Sequence, residues 1–202
     1  MKFIKKCWNI FWRPSAKWAL GTLLILGFIG GVVFVNGFHM GMDSTNTEAF
    51  CVGCHEMADN VGVEYTGTVH DSNKTGVRAT CSDCHVPKTF VAKMFRKVEA
   101  SNDLLQSFLG TIDTPEKFEE RRGHLAKREW IRFKKSDSQT CRNCHNFDAM
   151  DLSAQNNRAK NGHVLAKNTG QTCIDCHKGI AHKLPANAFE IEKEVNAMFE
   201  NK

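Results

Sequence analysis

The pattern of hydrophobic and polar positions divides the chain into a short tail, an apolar segment and a long polar remainder. The apolar segment, WALGTLLILGFIGGVVFV at 18–35, has no charged residue. As an α-helix it would measure about 27 Å, close to the hydrocarbon thickness of a bilayer. A secretory signal has a shorter apolar region followed by a small-residue cleavage site, and the following NGFHMGMDS has no such site. We therefore predict an uncleaved transmembrane anchor over 18–36.

Charge is distributed unevenly around this anchor. The first seventeen residues contain no acidic residue and five basic ones: Lys2, Lys5, Lys6, Arg13 and Lys17. The chain has 27 basic and 22 acidic residues, so 22 of each remain beyond the tail. This asymmetry predicts a single-pass protein of the bacterial inner membrane, with 1–17 in the cytoplasm and 37–202 in the periplasm. A nucleic-acid partner is not expected from a neutral remainder.

Two features of the tail and anchor suggest further contacts with the membrane or with a second chain. Trp8, Trp12 and Trp18 suit the headgroup region of the bilayer. Gly27 and Gly31 have the spacing that packs two membrane helices, which would give a homodimer. The alternative is that small residues are simply tolerated in a membrane helix.

The polar remainder contains three segments with helical periodicity. The segments 89–110 and 114–135 each alternate apolar and charged faces. The second begins with Thr114 as N-cap and Pro115 at the first helical position. A third amphipathic helix is predicted after Pro185, with Phe189, Val195 and Phe199 on one side. The fold class is therefore mainly α, with much irregular chain.

Eight of the nine cysteines form four Cys-x-x-Cys-His motifs, and only Cys7 in the tail lies outside them. In a c-type cytochrome the two thiols attach the haem and the adjacent histidine binds its iron. Zinc binding and disulfides are the alternatives, but neither requires a histidine after every second cysteine. We predict four covalently attached haems, at CVGCH (Cys51, Cys54, His55), CSDCH (Cys81, Cys84, His85), CRNCH (Cys141, Cys144, His145) and CIDCH (Cys173, Cys176, His177).

The spacing of the motifs indicates an internal duplication. Cys51 and Cys81 are 30 residues apart, and Cys141 and Cys173 are 32 apart. We expect two dihaem halves, at about 45–100 and 135–185. Each half also has a histidine ahead of its second motif, and one more follows the last motif. These three, His70, His163 and His182, are the candidate distal ligands, whereas His39 and His124 lack such support.

Four six-coordinate irons need eight axial ligands. The four motif histidines and the three candidate distal histidines supply seven. One haem is therefore short of a ligand or uses a different residue. Met57 lies two positions after His55, and methionine is a common ligand of haem iron. On a helix the two residues would lie about 200° apart, so they would compete for one face of the iron.

The anchor, the four spaced motifs and the stretches EAFCVGCHEM, TVHDSNKTGVRATCSDCHVP and TCIDCHKGIAH closely resemble the NapC/NirT family of membrane-anchored tetrahaem cytochromes c. The resemblance implies that electrons pass from menaquinol or ubiquinol in the membrane to a soluble periplasmic reductase, with nitrate reductase as the expected partner. A nitrite or trimethylamine oxide reductase is the alternative partner. A second alternative is that the chain is itself a terminal multihaem reductase.

The resemblance also assigns roles to individual residues. In some members a methionine two residues after the motif histidine binds the first haem, which favours Met57 over His55. An aspartate and a lysine near the quinol correspond to Asp103 as proton acceptor and Lys97. The lysine is itself a ligand of the second haem in some members. Here we expect His163 in that position instead, and Lys97 at the quinol site.

Overall fold

The computed structural model describes residues 2–11, 14 and 17–200, and the chain forms two compact units, Met1–Thr45 and Asn46–Lys202. The first unit contains α1 (Lys2–Phe11) and α2 (Leu20–Ser44). Trp12 and Arg13 lie outside the described residues. Within the described ranges, α2 is the one helix whose length and hydropathy suit a membrane span.

Helix α2 extends further than the predicted anchor. It continues to Ser44, whereas the apolar pattern predicts an end at residue 36. The added segment contains no proline and its first charged residue is Asp43, so no helix-breaking residue stops it earlier. At about 1.5 Å per residue, its 25 residues give a length of about 37 Å.

The second unit consists of helices joined by loops, and no strand occurs in its described residues. The mainly α fold class is therefore confirmed. Its helices are α3 (Glu48–Cys51), a π-helix (Met57–Gly62), α4 (Val63–Tyr65), α5 (Cys81–His85), α6 (Phe90–Phe108), α7 (Pro115–Lys135), α8 (Gln139–Arg142), α9 (Asn157–Thr169), α10 (Cys173–Cys176) and α11 (Ala188–Ala197), with two 3₁₀ turns at Phe147–Ala149 and Leu152–Ala154.

The two long helices predicted between the second and third motifs are confirmed as α6 and α7. Thr114 caps α7 as predicted, because its side chain accepts a hydrogen bond from the Lys117 N–H at 3.3 Å. Lysines and an arginine in the last turn of α7 complement the negative end of the helix dipole.

A small hydrophobic cluster holds α7 against α11. It consists of Trp130, Ile191 and Val195, with Phe199 packed at its edge. The predicted face of the last helix is partly wrong, because Phe189 is 75% exposed. Ile191, one turn before Val195, takes the buried place instead. A cluster of this size is a small core for the second unit.

Candidate haem-binding site

The second motif of each half begins a short helix through the same local interaction. Thr80 and Thr172 are N-caps, and the aspartate inside each motif accepts a hydrogen bond from the backbone N–H of its cap residue. The Thr80 N–H donates to Asp83 at 2.8 Å, and the Thr172 N–H donates to Asp175 at 2.8 Å. This capping box fixes the direction of both cysteines of each motif.

The four motifs lie in a row in the order in which they occur along the chain. The thiols of Cys51 and Cys81 share a hydrogen bond, which lowers the pKa of Cys51 to about 7. Cys141 and Cys173 share a second one, which lowers the pKa of Cys173 to about 6. Between these pairs, α5 packs against α8 and so joins the second motif to the third. The buried Ser138 hydroxyl also accepts a hydrogen bond from the Ile174 N–H, which ties the third motif to the fourth.

Three motif histidines each face a second histidine. The ring centroids of His85 and His182 are 6.2 Å apart. Those of His145 and His70 are 6.1 Å apart, and those of His177 and His163 are also 6.1 Å apart. All three predicted distal histidines therefore lie opposite a motif histidine.

This separation fits a metal ion between the two rings of each pair. Metal–imidazole bonds are about 2.0 to 2.1 Å long in zinc sites and a ring centre lies about 1.1 Å behind the bonding nitrogen, so two imidazoles on opposite sides of one ion have centroids about 6.2 to 6.4 Å apart. Two imidazoles in direct stacking contact would lie closer together. The donor set, with thiols at each motif, suits c-type haem.

The pairing differs from the expectation for the second haem. We expected His163 at the haem of the second motif, but His163 lies against His177 of the fourth motif and His182 lies against His85 of the second. The reason is that α9 carries His163 close to the motif that follows it in sequence. The segment after the fourth motif returns His182 to the first half. That return could not be read from the spacing.

Two of the paired imidazoles also have an acceptor near Nδ1. The Nδ1 of His163 lies 2.6 Å from Gln155 Oε1, and the Nδ1 of His85 lies 3.4 Å from Glu129 Oε2. When Nδ1 carries the proton, Nε2 is left with its lone pair for a metal. Sequence reasoning did not identify these partners. Glu129 is 44 positions from His85, and no local pattern connects them.

Glu129 is held as a carboxylate in a cationic surrounding. It forms ion pairs with Arg132 and, at 3.8 Å, with Arg96. Burial alone would raise its pKa, but hydrogen bonding and charge attraction from His85 and Arg132 outweigh burial and hold the pKa well below its usual value. The Arg96 guanidinium also donates to the His85 carbonyl at 3.2 Å.

The loop that carries His70 is closed by side chains of its own half. The His70 carbonyl accepts a hydrogen bond from the Ala79 N–H at 3.0 Å and lies 2.7 Å from the Tyr65 hydroxyl. Arg78 bridges Asp71 at 2.8 Å and Glu48 at 2.7 Å. These contacts fix the position of the loop between α3 and α5.

The segment that carries His182 is held by a buried ion pair. The Arg122 guanidinium of α7 donates to Glu64 at 2.6 Å and to the Lys183 carbonyl at 3.3 Å. The Lys183 N–H donates to the same Glu64 carboxylate at 3.0 Å. Burial in the folded chain and the repulsion of His85 both lower the pKa of His182, which favours the neutral imidazole that a metal requires.

The first motif has a different environment from the other three. The Nε2 of His55 lies 3.7 Å from the buried carboxylate of Glu56, which also accepts a hydrogen bond from Ser107 at 2.8 Å. Met57 follows as the first residue of the π-helix and is 39% exposed. π-helical turns often occur at functional sites, because they change the direction of successive side chains.

The two predicted quinol residues, Asp103 and Lys97, both lie on α6. Asp103 forms ion pairs with Arg128 at 2.6 Å and with Arg96 at 3.5 Å. Lys97 lies near the Cys51 thiol of the first motif, and burial lowers its pKa. Their six-residue separation places the two side chains about 120° apart around the helix.

The alternatives to haem have no support in the geometry. Among the described residues, no group of three or more histidine, cysteine or acidic side chains is arranged to hold a metal ion by itself, as a zinc ribbon would need. The cysteines of the four motifs are all free of disulfides.

Comparison with known sequences decides the family. The profile of the NapC/NirT cytochrome c family, N-terminal region, matches residues 13–187. The chain belongs to the NapC/NirT cytochrome c family. It is thus a membrane-anchored c-type cytochrome of electron transport, as the motifs and α2 predict.

Individual members of the family are similar over most of their length. The chain is 56% identical to the cytochrome c-type protein NapC of Escherichia coli K12 over 90% of each chain. It is 52% identical to the denitrification system component NirT of Stutzerimonas stutzeri, also over 90% of each. With the cytochrome c-type protein TorC of E. coli K12, the identity is 45% over 96% of this chain and half of TorC. No solved structure matched the chain.

Proposed function

We propose that this cytochrome carries four haems, oxidises quinol at the membrane and passes the electrons to a periplasmic reductase, most directly nitrate reductase. Similarity to NapC over nearly the whole chain supports this partner. The tail would remain in the cytoplasm and the second unit in the periplasm, with α2 in the bacterial inner membrane.

The observation that carries this proposal is the set of three histidine pairs. His85 with His182, His145 with His70, and His177 with His163 would each hold one haem iron, and the paired cysteines would hold the porphyrin rings. Met57 would bind at the first motif in place of His55. Bound haem supplies one-electron transfer between ferric and ferrous iron.

The proposed quinol site lies at the first motif. Since Cys51 follows Ser44 by only seven residues, this motif is the one nearest to the membrane span in sequence. A quinol must release two protons as it is oxidised, and the Asp103 carboxylate is the proposed acceptor. Arg128 and Arg96 hold that carboxylate in place, and Lys97 is the proposed hydrogen-bond donor to a quinol oxygen.

The test is reduction of the purified full-length protein by quinol analogues. We expect the haem absorbance to change to the reduced form on mixing with a ubiquinol or menaquinol analogue. Replacing Asp103→Asn should slow this reaction by about 100-fold or more, because a general base is lost. Asp148→Asn is the matched control, since Asp148 is also ion-paired, with Lys167 at 2.9 Å, and lies outside the proposed site.

Two results would contradict the proposal. One is a protein with all four haems that no quinol analogue reduces. The other is rapid turnover of nitrite or hydroxylamine by the isolated protein with a reduced dye, which would instead indicate a terminal reductase.

A further inference from the structure

One long helix of the second unit, α6, has an exposed face that is apolar except for Asn102. On α6 and its cap, five side chains recur at helical spacing and are 52–72% exposed: Val91, Phe95, Val98, Leu105 and Leu109. Helix α7, of similar length, has no large hydrophobic side chain among the exposed ones. The two long helices of the second unit therefore differ in this respect.

The opposite side of α6 makes the contacts with the rest of the unit. Arg96 donates to the His85 carbonyl, Asp103 pairs with Arg128, and Ser107 donates to Glu56. At about 100° per residue these three lie roughly 140° around the helix from the apolar face. The apolar face thus points away from the motifs, and a haem bound at them would not cover it.

Chain connectivity keeps the beginning of the second unit close to the end of α2. Only three residues separate Ser44, the end of α2, from Glu48, the start of α3. Helix α6 lies beside this beginning of the second unit, because Ser107 contacts Glu56 and Lys97 acts on Cys51. A lipid surface is therefore the apolar partner within reach of this helix in a protein anchored by α2.

The sequence of α6 also suits a lipid surface. Lys93, Arg96 and Lys97 lie on the opposite, polar side of the helix, about 120° to 160° around it from the apolar stripe. Amphipathic helices with a basic polar face lie in the plane of the bilayer, with the apolar side chains at the acyl boundary and the polar face toward water. We propose that α6 is a second membrane contact, which lies flat in the outer interface of the bilayer that α2 spans.

This inference rests on membrane anchoring and not on quinol oxidation. A helix in this position would hold the first motif at the lipid surface, where a lipid-soluble substrate is available. It would also restrict rotation of the second unit about the single anchor helix.

The test uses photo-crosslinking of the full-length protein in phospholipid nanodiscs. Phe95 and, in a second variant, Leu105 are replaced by p-benzoyl-phenylalanine. Phe34 on α2 is the positive control, and Phe189 on α11, at 75% exposed, is the control for exposure alone. The haem absorbance spectrum of each variant shows whether it has folded.

After irradiation, we expect protein adducts whose mass increases by one phospholipid at residues 95, 105 and 34, but not at 189. Three results would overturn the proposal: a crosslinked dimer at residue 95, a crosslink to an added reductase, or no adduct at 95 and 105 while residue 34 reacts. The measurement needs neither quinol nor turnover, so it is independent of the proposed function.

Discussion

In two of the six paired histidines, the two ring nitrogens have different surroundings. In His163 and His85 the Nδ1 atom faces an oxygen acceptor, Gln155 or Glu129, and the second nitrogen remains for the metal. The acceptors differ in charge, because Gln155 is neutral and Glu129 is an anion. A carboxylate acceptor makes the imidazole a stronger donor to the iron, which stabilises the ferric state.

The Glu129→Gln substitution tests this effect. The glutamine keeps the shape but is a weaker acceptor, and the substitution removes one negative charge, so both changes should raise the potential of the second haem. A loss of about 1 kcal/mol in the stabilisation of the ferric state corresponds to roughly 40 mV for one electron. We therefore expect the potential of the second haem to rise by about 20 to 60 mV. A spectroscopic redox titration of the four haems measures it.

Glu99→Gln is the matched control for that titration, because Glu99 is a glutamate that also pairs with Arg132, at 3.0 Å. It should leave the potentials close to those of the unchanged protein. If the Glu129 variant also left all four potentials unchanged, the hydrogen bond from His85 would have no effect on the iron.

The residues of the site differ in how far sequence could predict them. Cys-x-x-Cys-His identifies its own cysteines and histidine by local spacing. The distal candidates His70, His163 and His182 could be predicted from their positions relative to the motifs. The pairing of these histidines could not be predicted, because it depends on how the segment after the fourth motif returns His182 to the first half. Glu129, Arg96 and Arg128 belong to α6 and α7, where charged residues are common and their role appears only after packing.

At the level of helices, the periodic pattern was sufficient for α6 and α7 but not for the details of α11. Hydropathy predicted a membrane span at 18–36, and helix α2 continues beyond that span to Ser44. Phe189 was wrongly placed on the same side of α11 as Val195, because residues six positions apart lie about 120° apart around a helix. The direct packing of α11 on Trp130 of α7 decides it.

The ion pair between Arg122 and Glu64 connects three elements, α4, α7 and the segment of His182. Replacing Arg122→Gln leaves the buried Glu64 carboxylate without its cation and should destabilise the second unit by about 3 to 5 kcal/mol. Both side chains are 7% exposed, so solvent offers little compensation. Denaturant unfolding followed by circular dichroism in detergent measures the change.

The same variant should also loosen His182, which would convert part of the second haem from low-spin to high-spin iron in the absorbance spectrum. Arg121→Gln is the control, because Arg121 is the neighbour of Arg122 on α7 and is exposed. Equal stability of the two variants would show that the ion pair does not hold the segment.

The whole molecule consists of an anchor helix and a unit with four haem-binding motifs, and it belongs to a family that transfers electrons. The small hydrophobic cluster shows why the cofactors matter for the fold as well as for function: polypeptide alone buries little in the second unit, and haems bound between the histidine pairs would complete its interior.

The most direct test of the central claim is electron delivery through the complete protein. The full-length chain is reconstituted in liposomes with a quinol, and purified periplasmic nitrate reductase and nitrate are added. The account predicts that nitrite forms only when chain, quinol and reductase are all present. If the quinol reduces the haems of the chain but no nitrite forms with an active nitrate reductase, the proposed electron relay to that enzyme is contradicted.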